Sequence, residues 1–181
     1  MSKNILVLAG SPRLQGNSDL LADSFIEGAR LNGNSVTKIN VAKYNIKGCV
    51  DCQYCFSHEG KCVQRDGMDE IYPLLEKADV LVFATPVYFF GFSAQLKTVI
   101  DRFYAKALVG HNISQCALLA AGADLAETRV FEPIVAAYRA ISGYLKWEDI
   151  GIVTVGGVTA KGEVCATDGL ARARGLGAGI S

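Results

Sequence analysis

Apolar and polar positions along the chain alternate between two periods, and the switching predicts the elements. Ile5 to Ala9 is continuously apolar, the pattern of a parallel strand covered on both faces. From about Asn17 to Leu31, apolar residues recur at Leu21, Phe25 and Ala29, which predicts a helix capped by Asn17 or Ser18 and ended by Asn32-Gly33-Asn34. Ser35 to Val41 places Lys38 and Asn40 on one face and reads as an edge strand. The segment from Lys47 to about Asp66 has no period and is assigned to loop. A helix from Asp66 to about Ala78 turns Ile71, Leu74 and Leu75 inward, with Pro73 disturbing it or delaying its start. Val80 to Ala84 is again fully apolar. A helix from about Ser93 to Leu108 carries Leu96, Ile100, Phe103 and Ala107 on one face. Ser114 to Ala121 is a further strand and ends in Gly122-Ala123-Asp124. Thr128 is expected to cap a long helix with the stripe Val130, Ile134, Ala137, Ile141 and Leu145. A strand at Ile150 to Val155, broken by Gly156-Gly157, precedes a short helix from Asp168 to about Leu176 and a glycine-rich tail expected to fray.

Strands and helices alternate throughout, which predicts an α/β domain with a parallel sheet and right-handed crossovers. Ligands of such sheets bind beyond the carboxyl ends of the strands. The loops at 10–18, 85–92 and 121–128 all follow strands and are expected to meet at that rim.

Composition narrows the picture. The 181 residues suit one domain, and half of them are hydrophobic. Lysine plus arginine and aspartate plus glutamate number 18 each, so the net charge is zero. That excludes the basic signature of a nucleic-acid partner and weighs against an acidic carrier that docks by charge alone. The first residues read as a core strand rather than a signal peptide, and no apolar run is long enough to cross a membrane; a cytoplasmic protein without membrane contact is expected. Six cysteines in a reducing compartment are not a disulfide framework. Cys116 lies in an apolar run and reads as a buried small hydrophobe. Cys49, Cys52, Cys55 and Cys62 fall within fourteen residues, which opens metal or redox chemistry.

The loop Gly10-Ser11-Pro12-Arg13-Leu14-Gln15-Gly16-Asn17-Ser18 lies between a strand and a helix, where free N–H groups and the helix dipole favour an anion. It lacks the G-x-G-x-x-G of dinucleotide sites, and Asn17 stands where a P-loop needs lysine. Two hydroxyls, an amide and a guanidinium, from Ser11, Ser18, Asn17 and Arg13, suit a terminal monophosphate. The plain alternative is a strand–helix connection with a good cap. The loop Pro86-Val87-Tyr88-Phe89-Phe90-Gly91 offers rings and, through Gly91, close backbone approach to a flat aromatic ligand; the alternative is core filling, favoured for Phe92.

Gly10-Ser11-Pro12-Arg13-x2-Gly16-Asn17-Ser18, Thr85-Pro86-Val87-Tyr88 and Gln95-Leu96-Lys97-x3-Asp101-Arg102 together resemble the NADPH-dependent FMN reductase family, over nearly the whole chain. The resemblance implies a flavodoxin-like three-layer sandwich, a five-stranded parallel sheet in the order 2-1-3-4-5. It implies that Ser11, Arg13, Gly16, Asn17 and Ser18 hold the phosphate of FMN. Pro86, Val87, Tyr88 and Phe89, with Gly91 and the turn at Gly122, would border the flavin. Asp101 and Arg102 read as a structural or subunit-contact pair. Cys49, Cys52, Cys55 and Cys62 resemble the compact motif of iron–sulfur flavoproteins, a branch of this family, and would ligate a [4Fe–4S] cluster, with Gly48 and Gly60 easing the turns. Zinc, with His58 as a substitute ligand, and inert thiols are the alternatives.

The function expected is an FMN-dependent oxidoreductase that moves electrons from NAD(P)H through FMN to an acceptor, by way of the cluster where present, with a ferredoxin-like protein as partner. No general base or nucleophile is required, and His111 has no evident partner. The family further implies a homodimer or homotetramer in which each cysteine loop approaches a neighbour's flavin. The alternatives are a non-enzymatic carrier of the flavodoxin type and a zinc-bound regulatory module on the same fold.

Overall fold

A computed structural model of the chain describes residues 2–107, 109–125 and 129–181. Strand β1 (Asn4–Ala9) leads through the first loop into α1 (Asn17–Leu31). Strand β2 (Ser35–Asn40) follows, then a 3-10 turn at Val41–Lys43 and the cysteine segment, which contains the short helix α2 (Tyr54–Ser57). Next come α3 (Met68–Lys77), β3 (Val80–Pro86), α4 (Ala94–Ala107), β4 (Gln115–Ala121), α5 (Glu132–Leu145), β5 (Glu148–Val155), a 3-10 turn at Glu163–Ala166, and α6 (Gly169–Ala178).

The five strands form one sheet in the order β2-β1-β3-β4-β5, all neighbours parallel, as the resemblance implied. β2 lies at an edge, in keeping with its polar face. Successive side chains of the inner strands point to opposite faces and join separate cores. Leu6, Leu8, Leu81, Phe83 and Leu118 pack against α3, α4 and α5. Ile5, Val7, Val80, Val82, Ala117 and Leu119 pack against α1 and α6. Among the described residues no helix is long and apolar enough to cross a membrane.

Several boundaries differ from the sequence reading. Gly16, not Asn17 or Ser18, is the N-cap of α1, in extended conformation with φ −72° and ψ 170°. Pro73 lies inside α3 rather than before it. The cysteine segment is not all loop, since it holds α2. The tail does not fray: α6 continues to Ala178, Ile180 is buried, and the amides of Asn32 and Asn34 donate to the Ala178 and Ile180 carbonyls at 2.6 and 3.0 Å. Asp101 and Arg102 are not each other's partners; Asp101 pairs with Lys97 and Arg102 with Asp66. Leu108 and the expected cap Thr128 lie outside the described residues.

Candidate functional site

The sheet order reverses direction between β1 and β3, and the loops that follow these two strands meet there. The first is a compact turn. Ser11 Oγ donates to the Arg13 carbonyl and accepts from the Arg13 N–H, both at 3.1 Å. Gly16 keeps its end uncrowded, because a Cβ there would sit tightly, 3.0 Å from the Arg13 carbonyl oxygen and 3.3 Å from Ser11 Oγ. With glycine as N-cap, no side chain caps α1, so its first-turn N–H groups are open to a ligand. Ser18 in that turn is 2% exposed, and its hydroxyl has no hydrogen-bond partner among the described residues. The second loop is fixed at its base by Thr85, whose hydroxyl accepts from the Ser93 N–H at 3.1 Å, while Ser93 donates to the Gly10 carbonyl at 2.7 Å.

A cavity of about 230 Å³ lies between these loops. Ser11, Arg13, Gly16, Asn17, Ser18, Pro86, Val87, Tyr88 and Gly122, all singled out from the sequence, line it. Tightness at Gly122 has a cause, since a Cβ there would stand 3.2 Å from Phe131. Missing from the sequence reading is the loop after β5, which adds Val158, Thr159 and Lys161. Gly156-Gly157 after a strand was its one signal. Asn17 holds that loop in place: its Nδ2 donates to the Ala160 carbonyl at 2.9 Å and its Oδ1 accepts from the Gly162 and Val164 N–H groups at 3.1 and 3.2 Å. Arg13 donates to the Thr159 carbonyl at 3.3 Å. Asn17 is therefore a strut between two loops, with neither end of its amide free.

Phe89 and Gly91 are not brought to the cavity. Tyr88 and Gly91 exchange backbone hydrogen bonds at 3.1 Å around a two-residue turn with Phe89 at φ 45° and Phe90 at φ 68°. This is the primed turn geometry, usually filled by Asn-Gly. Two adjacent aromatic residues in the left-handed region are strained. Phe89 is 98% exposed, and its ring meets that of Phe90 edge-on. A Cβ at Gly91 would have no neighbour nearer than 4.0 Å, so glycine is not demanded there by close approach.

The four clustered cysteines line a second, smaller pocket against α4, of about 30 Å³, together with Arg102 and Tyr104. Among the described residues no three histidine, cysteine, aspartate or glutamate side chains are grouped to hold one metal ion. His58 is outside the pocket, stacked on Tyr54 with ring centroids 3.6 Å apart. The segment is tightly wound, with Asp51, Gln53, Glu59 and Gly60 all at positive φ. Gly60 meets the Ala105 carbonyl, whereas Gly48 stands in open space at no positive φ, so only one of the two glycines serves a turn. Burial raises the Cys55 thiol above its ordinary value, and repulsion from Cys62, Cys49 and Cys52 adds to it. Arg102 is buried beneath them. Burial pushes the Asp66 carboxyl up, but hydrogen bonds from Arg102, Met68 and Lys47 outweigh it and hold the group below its ordinary value. Cys116 is fully buried, 3.2 Å from the Tyr138 hydroxyl, and burial pushes its thiol up to about 11.

A family model described as NADPH-dependent FMN reductase matches residues 3–132. The chain belongs to that family. An iron-sulfur flavoprotein of Archaeoglobus fulgidus is 39% identical over 95 residues, 52% of this chain and 43% of that protein. Another from Methanocaldococcus jannaschii is 37% identical over 98 residues, 54% of this chain and 50% of that protein. The chain thus spans about half the length of the curated relatives it matches. An NAD(P)H:quinone oxidoreductase from Methanothermobacter marburgensis has the same fold, with a TM-score of 0.78 over 98% of this chain and 96% of that one, at 20% identity.

The cavity of this FMN reductase family member is polar at one end and apolar at the other, which is the chemistry of a phosphorylated flat ring. The open α1 terminus, Ser18, Arg13 and Lys161 suit the phosphate, while Pro86, Val87 and Val158 offer apolar wall. The four cysteines line one pocket and are the soft donor set that a thiolate-held cluster uses, and the Nε of buried Arg102 has no hydrogen-bond partner among the described residues there.

Proposed function

We propose that this protein is an FMN-dependent oxidoreductase that takes electrons from NAD(P)H and passes them to an acceptor. The observation that carries this reading is the cavity at the β1–β3 switch point, where an uncapped helix terminus and the largely buried Ser18 adjoin an apolar wall. Bound FMN would supply hydride acceptance from a nicotinamide and stepwise electron release. The protein's part is binding and orientation. Ser18 and the α1 N–H groups hold phosphate, Arg13 and Lys161 neutralise it, and Gly16 keeps the turn narrow. Pro86, Val87, Tyr88 and Gly122 border the ring. The exposed aromatics at Phe89 and Phe90 sit beside this opening as a surface for an incoming substrate.

Cys49, Cys52, Cys55 and Cys62 would hold a [4Fe–4S] cluster, one thiolate to each iron, and give the flavin a one-electron outlet. The names of the relatives and the presence of all four cysteines along one pocket support this. Among the described residues none lines both pockets, which supports an assembly, a homodimer or homotetramer, in which each cysteine loop meets a neighbour's flavin. A ferredoxin-like protein is the acceptor such an outlet suits. The two apolar cores on either face of one sheet support reading residues 1–181 as one flavin-binding domain, and six free thiols suit the reducing cytoplasm.

Protein purified without oxygen tests these points together. FMN-loaded protein is expected to oxidise NADH or NADPH, followed by nicotinamide absorbance, with a quinone or ferricyanide as acceptor. FMN bound without any such oxidation would make the protein an electron carrier instead. Iron and sulfide are expected with the flavin; zinc in their place would overturn the cluster.

A further inference from the structure

We propose that Arg102 is a positioning residue for the cysteine loop, its Nε–H donating a hydrogen bond to the sulfur of a partly buried cysteine of that loop, Cys55 or Cys62, when the four cysteines hold a [4Fe–4S] cluster. The inference rests on the cluster reading above and adds to it a residue on α4 that lies outside the cysteine motif.

Arg102 closes the neck of the loop. Its Nη1 donates to Asp66 Oδ2 and to the Lys47 carbonyl, both at 2.8 Å, and its Nη2 reaches Asp66 Oδ1 at 3.4 Å. Lys47 begins the segment and Asp66 ends it, so one guanidinium ties both ends to α4. Asp66 is held in turn by the N–H groups of Met68 and Lys47 at 3.0 and 3.1 Å. The pair is buried, with side chains 1% and 5% exposed.

A planar guanidinium gripped at its terminal nitrogens keeps its Nε edge for another acceptor. Here that Nε is shielded from solvent and has no partner among the described residues. A buried donor on a charged group is costly to leave unsatisfied, and native structures rarely do so. Arg102 lines the cysteine pocket, where the thiol sulfurs are the acceptors that become strong on deprotonation. Cys49 and Cys52 are exposed, whereas Cys55 and Cys62 are both partly buried against the apolar core. Apolar residues could close the neck without a buried ion pair, often at no loss of stability. Only a guanidinium closes it and still presents a donor edge.

Hydrogen bonds to cluster sulfurs raise the reduction potential, because they favour the more negative reduced state. Two variants isolate the bond without altering net charge: R102K, which keeps the cation and loses the Nε edge, and the double variant D66N/R102M, which leaves no buried charge unpaired. Wild type and variants are reconstituted anaerobically with ferrous iron and sulfide. Both variants are expected to match the wild type in FMN affinity and iron content. Their clusters are expected to reduce at a more negative potential and to lose iron to a ferrous chelator about 10–100-fold faster. If the double variant does not fold, R102K decides by the same two readouts. Wild-type potential and release rate in R102K overturn the role of Arg102 and leave the cluster reading intact. A wild-type chain that takes up no iron overturns both.

Discussion

At the residue scale, neighbours in the sequence have opposite tasks. Asn17 and Ser18 both open α1 and both line the cavity, yet Asn17 is committed to the loop at 160–164 while the Ser18 hydroxyl is free. Ser18→Ala is expected to weaken FMN binding by about 1.5–3 kcal/mol, the scale of a hydrogen bond to a charged group, with the melting temperature of the free protein unchanged. Asn17→Ala is expected to lower both, since three bonds that hold the opposite wall go with it. Flavin fluorescence titration and calorimetry separate the two patterns. Phe89 poses a different problem, an aromatic ring in solvent on a backbone that disfavours it. Phe89→Asn is expected to stabilise the free protein by about 1 kcal/mol, since it relieves left-handed strain and uncovers no core. A fall in melting temperature would mean that the ring packs on something in solution.

At the element scale, α1 and α6 cross at backbone distance. A Cβ on Gly28 would fall on the Arg174 carbonyl, and one on Gly177 on the Phe25 carbonyl. These glycines let α6 cover α1 at backbone distance. Gly177→Ala is expected to cost about 1–3 kcal/mol in urea unfolding, because helix backbones rather than flexible side chains must move apart. Gly175→Ala, two residues away with nothing within 4 Å, is the control. It is expected to stabilise by about 0.5–1 kcal/mol through helix propensity alone.

At the scale of the whole molecule, the cavity gathers loops from four places in the chain, so a ligand there links the β1, β3, β4 and β5 ends of the sheet. FMN at a hundred times its dissociation constant is expected to stabilise the fold by about 2.7 kcal/mol. That corresponds to roughly 5–10 °C in a thermal scan of a chain this size. Riboflavin at the same concentration is expected to give a much smaller shift, because it has the ring without the phosphate. Equal shifts would show that the α1 terminus is not the anchor.

Local rules governed what could be read from the sequence alone. Apolar runs at Ile5 to Ala9 and Val80 to Ala84 announced buried parallel strands, because a strand covered on both faces must be apolar on both. Loops that follow such strands share one rim, so the first two walls of the cavity could be named by residue. Only the folded chain revealed the wall at Val158 to Lys161, since it is fixed by the Asn17 amide across more than 140 positions. Their place on a helix marked Asp101 and Arg102 as structural or subunit-contact charges; only tertiary packing revealed that the partner of Arg102 is Asp66, beneath the cysteines. Side-chain hydrogen bonds between distant segments leave no periodic trace in a sequence. They depend on which surfaces the sheet order brings together, and that is where the roles of Asn17 and Arg102 were decided.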